Sequence, residues 1–231
     1  QKKWVFGYFL MVVVAFVGGV WVLQSAEAKP KASKAPEGMV EVPAGEFWMG
    51  CDPAKDSPCE ADEAPKRKVT LDAFYIDTTE VTVDAYIACA TAGACSPPST
   101  TKPCDTVANN WGKADRTKHP INCVTWDQAD AFCKWAGKQL PTEAQWEKAA
   151  RGKDGKKYPW GDKAASCTYA VMDDKGKGCG TDQTLAVGSK PKGKSPYGAL
   201  DMSGNVWEWT ADRYERDLST APTTNPTGSA D

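Results

Sequence analysis

Histidine is nearly absent from this chain, which has one in 231 residues, and none of its nine cysteines are spaced Cys-x-x-Cys. Zinc and haem sites draw on histidines and on such cysteine pairs, so both kinds of site are disfavoured. The formal net charge of −2 gives no electrostatic case for binding nucleic acid. The single histidine, His119, has no cysteine or serine partner in a known motif. We interpret it as a loop residue rather than a general base.

Aromatic residues, proline and cysteine are plentiful. Ten tryptophans, 16 prolines and 20 glycines in a chain that is 41% hydrophobic predict a loop-rich domain with an aromatic core. Nine cysteines favour disulfides formed in an oxidising compartment over buried free thiols. The chain opens on Gln1 and stops in a Thr/Pro/Gly/Ser-rich stretch at Asp231, so we expect a gene product that is longer at both ends.

Residues 1–3 form a basic cytoplasmic end, and the apolar run Trp4–Leu23 follows. Twenty residues in a helix span about 30 Å, the thickness of the hydrocarbon core of a bilayer. The two N-terminal lysines orient such a helix with the remaining chain in the periplasm or at the cell exterior. The alternative is a signal peptide cleaved after Ala26-Glu27-Ala28. The run exceeds the usual apolar region of about 7–15 residues, which favours a retained anchor.

Residues 24–37 are rich in lysine and proline and predict an extended tether, and residues 38–231 form one domain. Alternating residues over 39–42 and 46–49, separated by Pro-Ala-Gly, predict a β-hairpin. Further strands are predicted over 69–71 and 74–76.

Three helices are predicted from local patterns. Apolar residues at i, i+3, i+4 and i+7 from Val83, among them Ile87, indicate a helix that ends near Gly93. The capping boxes Thr125-x-x-Gln128 and Thr142-x-x-Gln145 begin two more helices. Acidic residues in the first turn of the last helix suit its N-terminus better than they suit a catalytic pair.

The segment Gly204–Trp209 holds two tryptophans on either side of Glu208. Indoles two residues apart predict one buried face, so we expect Trp207 and Trp209 to anchor the core. Glu208 is then either solvated on the opposite face or held by a specific partner. Asp201, shortly before this segment, is interpreted as a turn former.

Seven stretches together resemble the formylglycine-generating-enzyme-like (sulfatase-modifying factor) domain. They are Val42–Gly50, Thr79–Thr82, His119–Trp126, Trp135–Glu147, Tyr158–Gly161, Tyr197–Trp209 and Asn225–Gly228. The resemblance runs from about Gly38 to the end of the sequence. It implies an α+β, C-type-lectin-like fold with little regular secondary structure, here preceded by one transmembrane helix.

The family's pattern continues beyond Asp231, and in true formylglycine-generating enzymes the redox-active cysteine pair that binds copper lies in that later part. The resemblance therefore assigns no catalytic residue within this sequence. A family cysteine at the position of Cys133 can pair with one in the closing strand, which leaves Cys133 unpaired here. Proximity along the chain then suggests four disulfides among the others: Cys51–Cys59, Cys89–Cys95, Cys104–Cys123 and Cys167–Cys179.

The resemblance also implies structural calcium. Asn205 and Glu208 match calcium-binding positions, with backbone carbonyls around Val206 completing a shell of oxygens. The alternative is that Asn205 only turns the chain and Glu208 is solvated. A second calcium site would lie near Tyr169–Val171, where Val171 replaces a frequent asparagine and Asp173 and Asp174 offer substitutes.

Three functional hypotheses follow. The first is a non-catalytic, membrane-anchored extracytoplasmic module, an accessory subunit of a larger bacterial membrane complex. It would contact other subunits through Trp4–Leu23 and the domain, and lipid through the helix. The second is a copper-dependent oxidase that converts a substrate cysteine to formylglycine. The third is a lectin-like receptor that binds glycan or peptide through the loops 95–111 and 167–188.

Overall fold

The computed structural model describes residues 34–56, 58–100, 104, 109–174, 178–215 and 221–228. The predicted transmembrane segment Trp4–Leu23 and most of the tether lie outside the described residues. Within the described part of the chain, no helix combines the length and the apolar character needed to cross a membrane. The described residues from Ala35 onward belong to one compact unit, Ala35–Asp231.

Four short strands form the β-structure: β1 (Met39–Val42), β2 (Gly45–Met49), β3 (Arg67–Leu71) and β4 (Phe74–Asp77). β1 pairs antiparallel with β4, and β2 pairs antiparallel with β3. The predicted strand positions are confirmed. The predicted hairpin between β1 and β2 is wrong, because these two strands do not pair with each other.

The two ladders are instead one long, bent ribbon. Val42 lies opposite Phe74 and Gly45 lies opposite Leu71, so both ladders keep the same register. Pro43 stands at the bend and has no N–H to continue the ladder. The Pro-Ala-Gly sequence therefore bends a strand rather than reversing the chain, and the reversal comes in the loop between β2 and β3.

A buried lysine holds this bend. The side chain of Lys148 is 1% exposed, and its Nζ donates to the carbonyls of Pro43 and Gly45, each at 2.8 Å. Burial lowers the pKa of Lys148, and the two backbone acceptors satisfy its ammonium group.

Three helices follow: α1 (Val83–Thr91), α2 (Trp126–Trp135) and α3 (Glu143–Arg151). Both predicted capping boxes are present, with Thr125 and Thr142 as N-caps. One detail of α1 differs from prediction: Ile87 is exposed, whereas Cys89 is buried. Cys89 turns inward because it is bonded to Cys95.

The core consists of three apolar clusters. One joins β1 to α3, a second joins β2 and β3 to α3, and a third joins α1 to α2. In the third cluster Tyr86 stacks on Phe132, with ring centroids 5.7 Å apart. No other strand is present among the described residues, so long loops complete the domain.

Disulfides close several of these loops. The bonded pairs are Cys51–Cys59, Cys89–Cys95, Cys104–Cys123 and Cys167–Cys179, the same four that proximity along the chain suggests. Cys133 is a free cysteine. Cross-links of this kind restrict the unfolded chain, which compensates for the small amount of regular structure.

Candidate functional site

The tryptophan segment (Gly204–Trp209) begins with a tight turn. Gly204 has φ +113°, and a Cβ there would lie 2.2 Å from the carbonyl oxygen of Val171, so glycine is required. Asn205 follows with φ +66°, and its N–H donates to the same carbonyl at 2.8 Å. The turn is thereby fixed against the neighbouring loop.

The Asn205 side chain is also engaged by protein. Its Oδ1 accepts from the Leu185 N–H at 3.0 Å, and its Nδ2 donates to the Leu185 carbonyl at 3.3 Å. Two hydrogen bonds to the backbone of the same residue hold the two loops in a fixed relative position. The geometry supports the turn-forming alternative for Asn205 more than the role of a metal ligand.

The two tryptophans do not anchor the core. Trp207 is fully exposed and Trp209 is 49% exposed, so the prediction of a buried face is wrong within this chain. Hydrogen bonds rather than burial hold the segment: Trp209 Nε1 donates to the Val124 carbonyl at 3.0 Å, and Trp126 Nε1 donates to the Thr210 carbonyl at 2.8 Å. These reciprocal indole bonds tie the segment to the start of α2.

Glu208 has a specific partner on α3. Its Oε2 accepts from Trp146 Nε1 at 2.9 Å. Burial of the carboxyl raises the pKa of Glu208 to about 7, the hydrogen bond opposes this rise, and Asp201 adds repulsion. The residue as a whole remains exposed, and water that reaches it moderates the shift.

Glu80, just before α1, faces the same region. Both of its carboxylate oxygens are buried and accept no hydrogen bond from the described residues. Burial first, then repulsion from Asp201 and a hydrogen bond with its carboxylate that favours the protonated acid, and last repulsion from Glu208, raise the pKa of Glu80 to about 9. A buried carboxylate left without a hydrogen-bond donor is rare in folded proteins, so this one needs an explanation.

Asp201 completes what we call the acidic cluster (Glu80, Asp201 and Glu208). It is 8% exposed, has φ +58°, and its Oδ2 accepts from the Gly188 N–H. Sequence reasoning missed Glu80 and treated Asp201 only as a turn former. The presence of two acids, Asp201 and Glu208, within one sequence motif could have indicated an acidic site. Nothing in the sequence next to Glu80 indicates that it belongs to this site.

The cluster offers oxygen ligands, the type that calcium prefers. Its three carboxylates do not all have oxygens within 4.8 Å of one another, so backbone carbonyls such as that of Val206 would have to complete a shell. Among the described residues, one other group has three potential ligand atoms within 4.8 Å of one another: Cys51, Cys59 and Glu63. Its two cysteines are bonded to each other in a disulfide, so they are not available as thiolate ligands. The carboxylates of Asp201 and Glu208 and the carbonyl of Val206 are oxygen donors of the kind that a hard cation prefers.

Beside the cluster lies a largely apolar groove of about 410 Å³. Its walls come from β4, from α2 and from the tryptophan segment, and include Phe74, Ile76, Phe132, Cys133, Trp207 and Trp209. Glu80 and Glu208 also line this groove. Burial, and then repulsion from Asp77 and Asp130, raise the pKa of the Cys133 thiol to about 11, so at neutral pH it is a thiol and a poor nucleophile.

The remaining candidate residues have structural roles. His119 Nδ1 lies 2.9 Å from Thr184 Oγ1, and burial lowers the pKa of His119. Glu147 accepts from the Gly50 N–H at 2.8 Å and pairs with Arg151, which braces α3 against the end of β2. At the suggested second calcium site the Val171 carbonyl already accepts from Asn205.

The bent ribbon, the three capped helices and the disulfide-closed loops define a formylglycine-generating-enzyme-like domain with a mixture of small helices and strands. The chain belongs to the family with a sulfatase-modifying factor enzyme 1-like domain, whose model matches residues 24–228. The resemblance carried by the sequence motifs is thus confirmed.

The chain is similar to several proteins of this family. The formylglycine-generating enzyme of Mus musculus is 34% identical in an alignment of 233 positions that covers 82% of this chain and 62% of the mouse protein. The "Inactive C-alpha-formylglycine-generating enzyme 2" of Bos taurus is 38% identical in an alignment of 109 positions that covers 45% of this chain and 36% of that protein. The structure of PvdO from Pseudomonas aeruginosa superposes with a TM-score of 0.69 at 27% identity, covering 82% of this chain and 76% of PvdO. The chain thus spans about three fifths of the length of its mammalian enzyme relatives.

Proposed function

We propose that this chain is a non-catalytic, membrane-anchored extracytoplasmic module that serves as an accessory subunit of a larger membrane protein complex. The observation that carries the proposal is the exposed indole pair of Trp207 and Trp209 beside an apolar groove. An exposed apolar surface of this kind is typical of a site that contacts another polypeptide.

Two further features support the proposal. The apolar run Trp4–Leu23 is long enough to enter a bilayer. The family also includes a relative named as inactive, so membership of the family is compatible with a non-catalytic role.

We further propose that the acidic cluster binds a structural calcium ion. Glu208 and Asp201 would supply carboxylate oxygens, and the Val206 carbonyl would complete the shell. Glu80 would not bind the ion but would be attracted to its positive charge. The ion would offset the repulsion that raises the pKa values of Glu80 and Glu208. Its role would be to fix the tryptophan segment, with no part in chemistry.

The alternative function is a copper-dependent formylglycine-generating oxidase, which the 34% identity to the mouse enzyme favours. It requires a reactive cysteine pair outside the nine cysteines of this sequence.

One experiment separates the two functions. The full-length gene product is tagged, extracted from membranes in mild detergent and purified, and its companions are identified by mass spectrometry. The same preparation is incubated with copper and a cysteine-containing sulfatase peptide, and aldehyde is measured. We expect stoichiometric membrane-protein companions and no aldehyde. Aldehyde formation by the wild-type protein would overturn the non-catalytic proposal, and extraction by alkaline carbonate alone would overturn the anchor.

A further inference from the structure

The apolar groove beside the acidic cluster carries negative charge that the described chain does not neutralise. Asp77 is paired, because Lys138, the one cationic side chain among the described residues that line the groove, donates to it at 2.5 Å. Glu80 and Glu208 also line the groove, and neither forms an ion pair with a described lysine or arginine. A ligand that enters the groove therefore meets two acids without a counter-ion.

Glu80 is the acid in greater need of a partner. Both of its carboxylate oxygens are buried and accept no hydrogen bond from the described residues, whereas Glu208 accepts from Trp146. A calcium ion held by Asp201 and Glu208 would not change this, since Glu80 lies outside that set of ligands. Because a buried carboxylate without a donor or a counter-ion is costly, the ionised form of Glu80 requires a cation from another molecule.

The walls of the same groove suit the apolar part of a polypeptide. Phe132 and Ile76 line it, and so do Trp207, which is fully exposed, and Trp209, which is 49% exposed. Tryptophan is among the residue types that contribute most to binding at protein interfaces, and an exposed indole face also attracts lysine and arginine. The apolar walls and the acids thus match a ligand that has both an apolar body and a cationic group.

We propose that the apolar groove binds a segment of a partner subunit that has apolar side chains and one basic residue, and that this basic residue pairs with Glu80. The inference rests on the proposed role as an accessory subunit and states the chemistry of the partner. Glu80 as a residue is only half-buried, so rotation about its side-chain bonds can turn the carboxylate toward a cation in the groove. The cation would favour the ionised acid and so oppose the burial and the repulsion that raise the pKa of Glu80.

The test is photo-cross-linking of the full-length gene product in the membranes of the organism that encodes it. Trp207 is replaced with p-benzoylphenylalanine, the membranes are irradiated in the presence of a chelator, and the cross-linked peptide is sequenced by mass spectrometry. We expect adducts on one apolar segment with a lysine or arginine within about five residues, which an extended chain spans in about 17 Å. The same probe at Tyr214, which is exposed and does not line the groove, should not reach this segment. Adducts on lipid, adducts on a segment without a basic residue, or no adduct would overturn the proposal.

A double-mutant cycle then tests the pairing with Glu80. Glu80→Gln should lower the yield of the adduct about tenfold, the loss typical of a hydrogen bond to a charged group. Replacing the basic residue of the segment with glutamine should have the same effect, and the two changes together should cost no more than either alone, because both remove one contact. Glu37→Gln, at an exposed position, should leave the yield unchanged. Losses that multiply, or a full yield in Glu80→Gln, would overturn the pairing.

The outcome can be separated from that of the accessory-subunit proposal. Stoichiometric membrane companions together with adducts on a segment that lacks a basic residue would leave the accessory role standing and overturn only the present inference. The absence of both companions and adducts would overturn both.

Discussion

The indole nitrogen of Trp146 lies 2.9 Å from the carboxylate of Glu208 and joins α3 to the tryptophan segment. Trp146 packs at the edge of the cluster formed by β1 and α3. Glu208 belongs to the acidic cluster, so this hydrogen bond connects the ribbon side of the domain to the candidate metal site. Helix position and site geometry are therefore coupled through one contact.

Replacing Trp146 with phenylalanine should remove this hydrogen bond while keeping most of the ring packing. We expect a loss of about 1 kcal/mol in the free energy of unfolding, typical of one exposed or half-exposed hydrogen bond, measured by urea denaturation. In a Glu208→Ala background the same substitution should cost clearly less, because the partner is already gone. An equal cost in both backgrounds would show that the bond contributes nothing.

The raised pKa of Glu80 predicts a pH-dependent stability. The carboxyl has a reference pKa of 4.5 and a folded pKa of about 9, so the folded state binds its proton more tightly. The corresponding stabilisation is complete below pH 4.5 and is lost as the pH rises through about 9. In the presence of a chelator, we expect the free energy of unfolding to fall over this range. The slope attributable to Glu80 is at most about 1.4 kcal/mol per pH unit.

The Glu80→Gln variant isolates this effect. Its amide stays neutral at every pH and has nearly the shape of the protonated acid. The difference in unfolding free energy between wild type and variant should therefore change steadily from pH 5 to pH 9. Glu37→Gln, at an exposed position, serves as control and should follow wild type. Parallel profiles for wild type and Glu80→Gln would exclude a strongly raised pKa.

Calcium should reverse this trend if it binds the acidic cluster. The ion favours ionised carboxylates, so we expect added calcium to raise the unfolding temperature at pH 8 and to have less effect at pH 5, where protons compete. Each kcal/mol of binding stabilisation corresponds to about 2–4 °C for a domain of this size. Glu208→Gln and Asp201→Asn should lose the response, and Glu37→Gln should keep it. An unchanged response in Asp201→Asn would argue for Asn205 as ligand instead.

Local features of this fold could be predicted from the sequence because their causes are local. Thr125 and Thr142 cap helices through bonds to residues three positions away, and the bonded cysteines lie within short loops. The register of the ribbon could not be predicted in this way. It pairs strands that lie far apart along the chain, and the carbonyls of Pro43 and Gly45 accept from Lys148, about a hundred residues further on.

The candidate site was only half predictable for the same reason. Glu208 stands in a recognisable motif, but Glu80 reaches it only through the folding of the ribbon and α1. The exposure of Trp207 could not be predicted from its apolar character. Two indoles two residues apart are compatible with a buried core face and equally with an exposed docking surface.

Cys133 offers a direct test of how its surroundings change the reactivity of a thiol. With a pKa of about 11 rather than 9.0, its thiolate fraction at pH 8 is about a hundredfold lower than that of an unperturbed thiol. We expect iodoacetamide to alkylate Cys133 correspondingly slowly in the folded chain of residues 1–231. After unfolding in guanidinium, one thiol per chain should react at the rate of an ordinary cysteine. Rapid alkylation of the folded chain would contradict a raised pKa for the half-buried Cys133 thiol.

The bend of the ribbon provides the most severe stability test. Lys148→Met keeps the length of the side chain and its apolar stem but leaves the carbonyls of Pro43 and Gly45 without a donor in a buried place. Unsatisfied buried acceptors cost about 1–3 kcal/mol each, so a loss of about 2–4 kcal/mol in unfolding free energy is expected. Lys153→Met, on the exposed loop that follows α3, should change stability by less than about 0.5 kcal/mol. If Lys148→Met were as mild as Lys153→Met, the bend would be held by Pro43 alone, and the role of α3 in setting the register of the ribbon would have to be abandoned.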